Sequence, residues 1–187
     1  LSTTLNRRDF IGATLASATA GSIVFGFATS ATAQGMAPEV NAWVVVQPDE
    51  KVIIRIARSE MGQGTLTGLA QMVAEELECD WARVTTEYPT PGQNLARKRV
   101  WGNYSTGGSR GIRESQEYVR KGGAAARMML VQAAADGWKV PAAECSAAAG
   151  VITHGATGRR TTYGQVAAAA GKLPVPTEVK LKDPKDW

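Results

Sequence analysis

Twice in this chain a glycine-bracketed loop runs straight into a helical pattern, and that repetition limits the fold more than any other feature. The first opening is Glu60-Met61-Gly62-Gln63-Gly64-Thr65; the second is Ser105-Thr106-Gly107-Gly108-Ser109-Arg110-Gly111. Glycine reaches backbone conformations closed to other residues. A helix start also exposes N–H groups that have no partner inside the helix, so both openings suit a phosphate, an oxyanion or another polar ligand. Gln63 offers a donor pair and an acceptor, which fits a pterin or amide edge. The second opening adds hydroxyls and the Arg110 cation. Each also has a plainer reading. The first is then a tight strand-to-helix turn with an exposed Gln63, the second a flexible loop with Ser109 as a helix cap. Two such openings in one small chain favour a shared ligand.

The pattern around them sets the fold class. Trp43 to Gln47 and Val52 to Ala57 are β-branched runs separated by the turn residues Pro48 to Lys51, which predicts a hairpin. From Thr65 the period changes. Leu66, Leu69, Val73 and Leu77 predict a helix over 65–78, with Thr65 available as its cap. A strand over 84–88 follows, then a loop over 89–108, long enough to be functional. A second helix is predicted over 111–135, with Ile112, Val119, Ala126 and Ala133 on one stripe. Gly122-Gly123 in its middle costs about 1 kcal/mol each relative to Ala, which implies close packing against another element. A short strand over 151–153 and a helix over 163–170 complete an α+β fold of ββαβα order: a small mixed sheet packed with two main helices. No GxGxxG opens a helix after a strand, which argues against a doubly wound dinucleotide-binding domain.

The 187 residues suffice for one ordinary domain, and 44% hydrophobic with 20% charged residues reads as globular. A net charge of +4 is mild, and Arg97-Lys98-Arg99 has no interleaved aromatics, so nucleic acid is not expected as a partner. Cys79 and Cys145 have neither CxxC spacing nor a neighbouring His, so the protein offers no metal-ligand set; two separately packed thiols are expected. His154, beside Gly155, reads as a surface turn residue. Trp43, Trp81, Trp101 and Trp138 are scattered and read as core by default, with a wall of a substrate funnel as the alternative for Trp101 in the long loop.

Residues 1–33 read as an address. Asn6-Arg7-Arg8-Asp9-Phe10 precedes a weakly apolar stretch and the small-residue site Ala31-Thr32-Ala33, as in a cleavable twin-arginine signal. Ala, Ser, Thr and Gly dilute the stretch too far for a membrane span, and the other reading is a buried or anchoring N-terminal helix. The expected mature segment is 34–187, periplasmic and ending in a linker. Export of a folded protein suits a cofactor inserted before transport.

Glu60 to Gly64, the helix carrying Met72, Ala74, Glu75 and Leu77, and the Ser105 to Ser109 loop with the helix after it resemble the molybdopterin-binding region of the xanthine dehydrogenase/aldehyde oxidase family. Order and spacing look closest to its branch of isoquinoline 1-oxidoreductase beta subunits and bacterial aldehyde dehydrogenases. The resemblance implies a molybdenum hydroxylase whose metal is held by a pterin dithiolene, as molybdopterin cytosine dinucleotide, and not by protein side chains. It implies that Gln63, flanked by Gly62 and Gly64, contacts the pterin beside the metal. It implies that the loop of Thr106, Gly107, Gly108 and Ser109 approaches the pterin or the metal. Electrons would leave through a [2Fe–2S] small subunit, and in some members to a cytochrome c subunit. The family's general-base glutamate lies far downstream, beyond these residues. Glu60 is not its equivalent, so no catalytic residue is assigned and the remainder of the large subunit is an expected partner. A non-catalytic exported phosphate- or anion-binding domain, or a vestigial fragment, is the alternative.

Overall fold

A computed structural model describes residues 39–187. The segment 1–33, read above as an export signal, lies outside the described residues. Strand β1 (Val44–Val46) and strand β2 (Val52–Arg55) pair antiparallel, with Val44 opposite Ile54 and Val46 opposite Val52. The β-branched side chains that drive this pairing also fill the interior. Helix α1 (Thr65–Leu77) then carries the chain across to β3 (Val84–Glu87), which lies parallel to β2. A parallel return needs such a crossover, and the crossover sets where the α1 N-terminus opens. Leu69, Val73 and Leu77 bury the inner stripe of α1, and Glu78 ends it in the left-handed region at φ 57°.

The stretch read as one long loop contains a short helix, α2 (Pro91–Ala96). Thr90 and Gln93 form a reciprocal capping box at its start, with Pro91 at the first helical position. Its few apolar residues carry no 3.6 period, so pattern reading passes over it. Helix α3 (Gln116–Trp138) begins five residues later than the sequence suggests, because 111–115 forms turns. It lies against α1. The glycine pair permits this approach: a Cβ on Gly122 would stand 2.7 Å from the Trp43 ring, and one on Gly123 2.5 Å from the Val73 carbonyl oxygen.

A second sheet follows where a single strand was expected. Strands β4 (Cys145–Ala148), β5 (Val151–His154) and β6 (Arg160–Thr162) are antiparallel neighbours, and helix α4 (Tyr163–Ala170) leaves directly from β6. The α+β class stands, with two three-stranded sheets in place of one. Cys-Ser-Ala-Ala and Arg-Thr-Thr are poor strand signals alone; pairing with β5 makes them strands.

Two further expectations are corrected, those for His154 and Trp81, while Trp101 follows its default reading. Trp101 is 2% exposed, and its indole N–H donates to the Ala42 carbonyl at 3.1 Å while the Arg55 and Arg97 guanidiniums flank its ring. It is the core anchor of the default reading, and the funnel-wall alternative falls. His154 is also 2% exposed, with its ring nitrogens 2.7 Å from the Thr157 hydroxyl and 2.9 Å from the Glu144 carboxylate. It braces the β5–β6 turn from inside. Trp43 packs in the core against Tyr118, whereas Trp81 is exposed. Cys79 and Cys145 are both free thiols.

An ionic cluster fastens the segment after α4. The Glu76 carboxylate on α1, 0% exposed, pairs with Arg120 of α3 at 2.7 Å and accepts from the Lys182 backbone N–H. Arg120 also donates to the Lys182 carbonyl and covers the Trp187 ring. Among the described residues no helix is long and apolar enough to cross a membrane.

Candidate functional site

Both glycine-bracketed openings sit at the same end of the α1–α3 pair. The first loop leaves β2 through Ile56 and Ala57, which are buried, and reaches α1 through Gly62 and Gly64, at φ +92° and +80°. These two positions require the left-handed region that glycine enters without penalty. The loop is held by its own carboxylate. Glu60 accepts from the backbone N–H groups of Gly62 at 2.7 Å, Gly64 at 2.9 Å and Leu66 at 2.9 Å. These bonds, Leu66 and Gly64 foremost, hold its carboxyl below the usual glutamate range.

The finding changes the expected chemistry of this opening. The N–H groups read as free for an external anion are already satisfied by Glu60, and Thr65 is not the cap. Gly64 occupies the cap position without a side-chain bond. Thr65 is buried and receives the Gln63 amide on its hydroxyl at 2.9 Å. An acid six residues before an α1 amide is outside the usual capping spacings, which is why sequence reasoning missed Glu60.

The second loop carries Thr106 into a 3₁₀ turn at Gly107–Ser109. Gly108 has φ +68°, and Ser109 adopts φ 61°. A non-glycine residue there is uncommon and costs energy that the surrounding structure must hold. Gly111 then lies against the first loop: a Cβ there would stand 2.6 Å from the Thr65 hydroxyl.

Gln63 joins the loops. Its amide nitrogen donates to the Ser59 carbonyl at 2.9 Å, to the Thr65 hydroxyl at 2.9 Å and to the Thr106 hydroxyl at 3.3 Å, while its amide oxygen accepts from Met61 N–H at 2.5 Å. A cleft of about 420 Å³ results, lined by Met61, Gln63, Thr65, Thr106, Ser109, Gly111, Ile112 and Arg113. Its volume lies in the ordinary range of ligand sites. Of the residues expected here, Gln63, Thr106 and Ser109 line one cleft. Gly62, Gly64 and Gly108, in the same two loops, have open space where a Cβ would stand, so a bulky group can approach their backbone. Gly107 sits beside the Ser105 hydroxyl. Met61, 73% exposed, stands at the rim. The Gln63 amide N–H groups, expected to face a ligand, are engaged within the loops, so the polar groups left for one are the remaining lone pair of its amide oxygen and the Thr106 and Ser109 hydroxyls beside the glycine-bared backbone. Among the described residues, no group of three or more His, Cys, Asp or Glu side chains is placed to hold a metal ion.

One more residue supports both loops, and no sequence signal marked it. Arg58, immediately before the first loop, is 6% exposed and donates to the Ser105 carbonyl at 2.5 Å and the Asn103 side chain at 2.8 Å. Its Nε donates to the Ser115 and Tyr118 hydroxyls at 2.8 Å and 3.1 Å.

Residues 6–187 match the family profile of the molybdopterin cofactor-binding domain. The isoquinoline 1-oxidoreductase subunit beta of Brevundimonas diminuta is 35% identical over 171 residues, covering 88% of this chain and 22% of the relative. A membrane-bound aldehyde dehydrogenase of Gluconacetobacter polyoxogenes, named for pyrroloquinoline quinone, is 29% identical over 175 residues, covering 88% of this chain and 21% of the relative. The chain thus spans about a fifth of the length of these curated relatives. The crystal structure of quinoline 2-oxidoreductase from Pseudomonas putida 86 superposes with a TM-score of 0.50 at 16% identity, over 70% of this chain and 16% of that one, and shares the fold. With a profile match that runs from residue 6 to the last residue, the chain belongs to the molybdopterin cofactor-binding domain family.

Proposed function

We propose that the cleft between Gln63 and the Thr106–Ser109 loop receives a molybdopterin cofactor, as its cytosine dinucleotide, and that the chain supplies this wall to an exported molybdenum hydroxylase. The observation that carries the reading is the Gln63 amide reaching Thr106 at 3.3 Å, which makes one cleft of two helix openings. Gln63 offers a pterin edge the remaining lone pair of its amide oxygen, and its amide N–H groups would turn to the ligand only by leaving the Thr106 hydroxyl. Thr106 and Ser109 add hydroxyls on the facing side, and Gly62, Gly64 and Gly108 let the ring system lie close to the backbone. Glu60 takes no part in proton transfer in this reading. Its carboxylate is committed to the loop's own N–H groups and fixes the shape that Gln63 needs.

When bound, the cofactor's molybdenum supplies hydroxylation of a carbon next to nitrogen or oxygen, with water as the oxygen source. The named relatives suggest an N-heterocycle or an aldehyde as substrate. A [2Fe–2S] small subunit and, in an exported complex, a cytochrome c subunit would accept the electrons, and the twin-arginine pattern in 1–33 favours a periplasmic enzyme. The Gluconacetobacter relative's name points to a quinone cofactor instead, and the family match over 6–187 favours molybdopterin.

Metal and nucleotide analysis tests this. The protein co-isolated with the remainder of the large subunit from molybdate-supplied cells should carry molybdenum in about equal amount and release cytidine monophosphate on acid hydrolysis, and Gln63→Ala should lose most of both. A co-isolated complex free of molybdenum, or one that carries a quinone, would overturn it.

A further inference from the structure

Four strand edges bound the two sheets, and three are covered or guarded. The β1 edge meets Glu39 in a bridge to Val45, β3 is bracketed by the charged Arg83 and Glu87, and β6 runs directly into α4 with the Thr162 hydroxyl bonded to Glu50. Cover and charge of this kind keep sheets from pairing where they should not. β4 has neither. Its sequence, Cys145-Ser146-Ala147-Ala148, carries no charge, no proline and no bulky side chain, and among the described residues it pairs only with β5.

The phase of the ladder decides which groups are left over. The Gly155 N–H donates to the Glu144 carbonyl at 3.0 Å. With Cys145 opposite His154, Ser146 and Ala148 therefore face β5, and Cys145 and Ala147 turn their main-chain groups outward. The Cys145 N–H is taken by the Ala142 carbonyl. The Cys145 carbonyl and both main-chain groups of Ala147 have no backbone partner among the described residues. A groove of about 460 Å³ lies beside them, between α3 and β4. Three consecutive residues, Cys145 to Ala147, line it, so it follows the edge of the strand and not one face. Met128, 40% exposed, and Val131 form the α3 wall. The charge and the amide at the rim are already engaged, Arg127 with Glu78 at 3.6 Å and Gln132 with Asp136 at 2.7 Å. A neutral, apolar groove beside open main-chain groups is what recognition by strand addition requires.

We propose that an extended, uncharged segment of the remainder of the large subunit completes this sheet, adding as a strand along β4 and burying apolar side chains against Met128 and Val131. The proposal rests on the family membership and not on what fills the Gln63 cleft. Two observations favour an occupant tethered to this domain over a free partner. The curated relatives carry most of their length outside the matched stretch. An edge with three open main-chain groups also contributes less than the cost of joining two free molecules, whereas a tethered segment meets it at about millimolar effective concentration.

Hydrogen exchange at single-amide resolution tests this, in the chain alone and in the chain joined to the remainder of the large subunit. Alone, the Ala147 N–H should exchange fast between slow neighbours at Ser146 and Ala148. In the whole subunit it should slow by about a hundredfold. Met128→Lys places a charge in the groove without touching β4, and Ser146→Lys guards the edge itself. Each should cut the Ala147 protection in the whole subunit by about tenfold while the lone chain melts like the parent, a combination that a role in holding this domain together would not give. A fast Ala147 in the whole subunit would overturn the proposal. So would a slow one in the lone chain: at every concentration it means an edge already covered, and only at high concentration it means a second copy as the occupant. Protection that appears only when an iron–sulfur subunit is added would assign the edge to that subunit instead. A protected Ala147 in a subunit without molybdenum would support the added strand while removing the cofactor assignment.

Discussion

Gly123 of α3 rests on the Val73 carbonyl of α1, so closely that a Cβ built on it would stand 2.5 Å from that oxygen. Ala in place of Gly inside a helix ordinarily gains about 1 kcal/mol. Here the obstacle is backbone, which cannot rotate aside, so overpacking prevails. Gly123→Ala should destabilise the fold by about 1–3 kcal/mol net, seen as a lower midpoint in thermal or urea unfolding. An unchanged midpoint would mean the two helices separate at no cost.

Glu76 is fully buried against Arg120, and breaking such a pair strands a charge. Arg120→Met should cost about 3–5 kcal/mol, more than a surface pair of the same geometry. Hydrogen exchange should also accelerate at Lys182, whose N–H donates to Glu76 and whose carbonyl accepts from Arg120. Loss of protection confined to α3 would contradict the described clasp.

The Glu60 carboxyl is held below its ordinary value of 4.5 by the Leu66 and Gly64 amides. A depressed folded-state value contributes stability that is present above the unfolded value and lost as pH falls through the folded one. The Gly62–Gly64 turn should therefore be intact at neutral pH and loosen only in acid. The Gly64 and Leu66 amide resonances should titrate with a midpoint under 4.5, and Glu60→Gln should abolish that titration. A midpoint at or above the ordinary value would show that the carboxylate is not engaged.

Burial pushes the Cys79 thiol up to about 12, and burial together with Glu144 also raises Cys145. Since the thiolate is the reactive form, Cys79 in the folded chain should resist iodoacetamide at pH 8, and unfolding in urea should expose it. Rapid modification of native Cys79 would place it at the surface.

Much of the frame follows from periodicity. The β1–β2 hairpin and α1 lie where β-branched runs and 3.6-spaced apolar residues put them, because those residues face the core, and β3 and α4 also fall near their expected spans. The Gly122-Gly123 pair announced the close helix contact correctly, since only a packing need explains two helix-weakening residues together. What apolar pattern could not reach was set by specific partners, some local and some far along the chain. β4 and β6 become strands only beside β5. α2 rests on a capping box. His154 and Trp101 are placed by Glu144 and Ala42, distant in sequence. In the cleft, the meeting of Gln63 with Thr106 was foreseen from two similar openings. The roles of Glu60 and Arg58 were not, because each depends on donors and acceptors arranged by the folded loops.

Since α1 and α3 touch main chain to main chain at Gly123, the scaffold beneath the cleft owes little to the identity of the rim residues. Met61 and Arg113 can therefore be randomised together without disturbing the platform that carries them. Selection for altered ligand preference can search this rim widely, provided Gly111, Gly122 and Gly123 are left untouched.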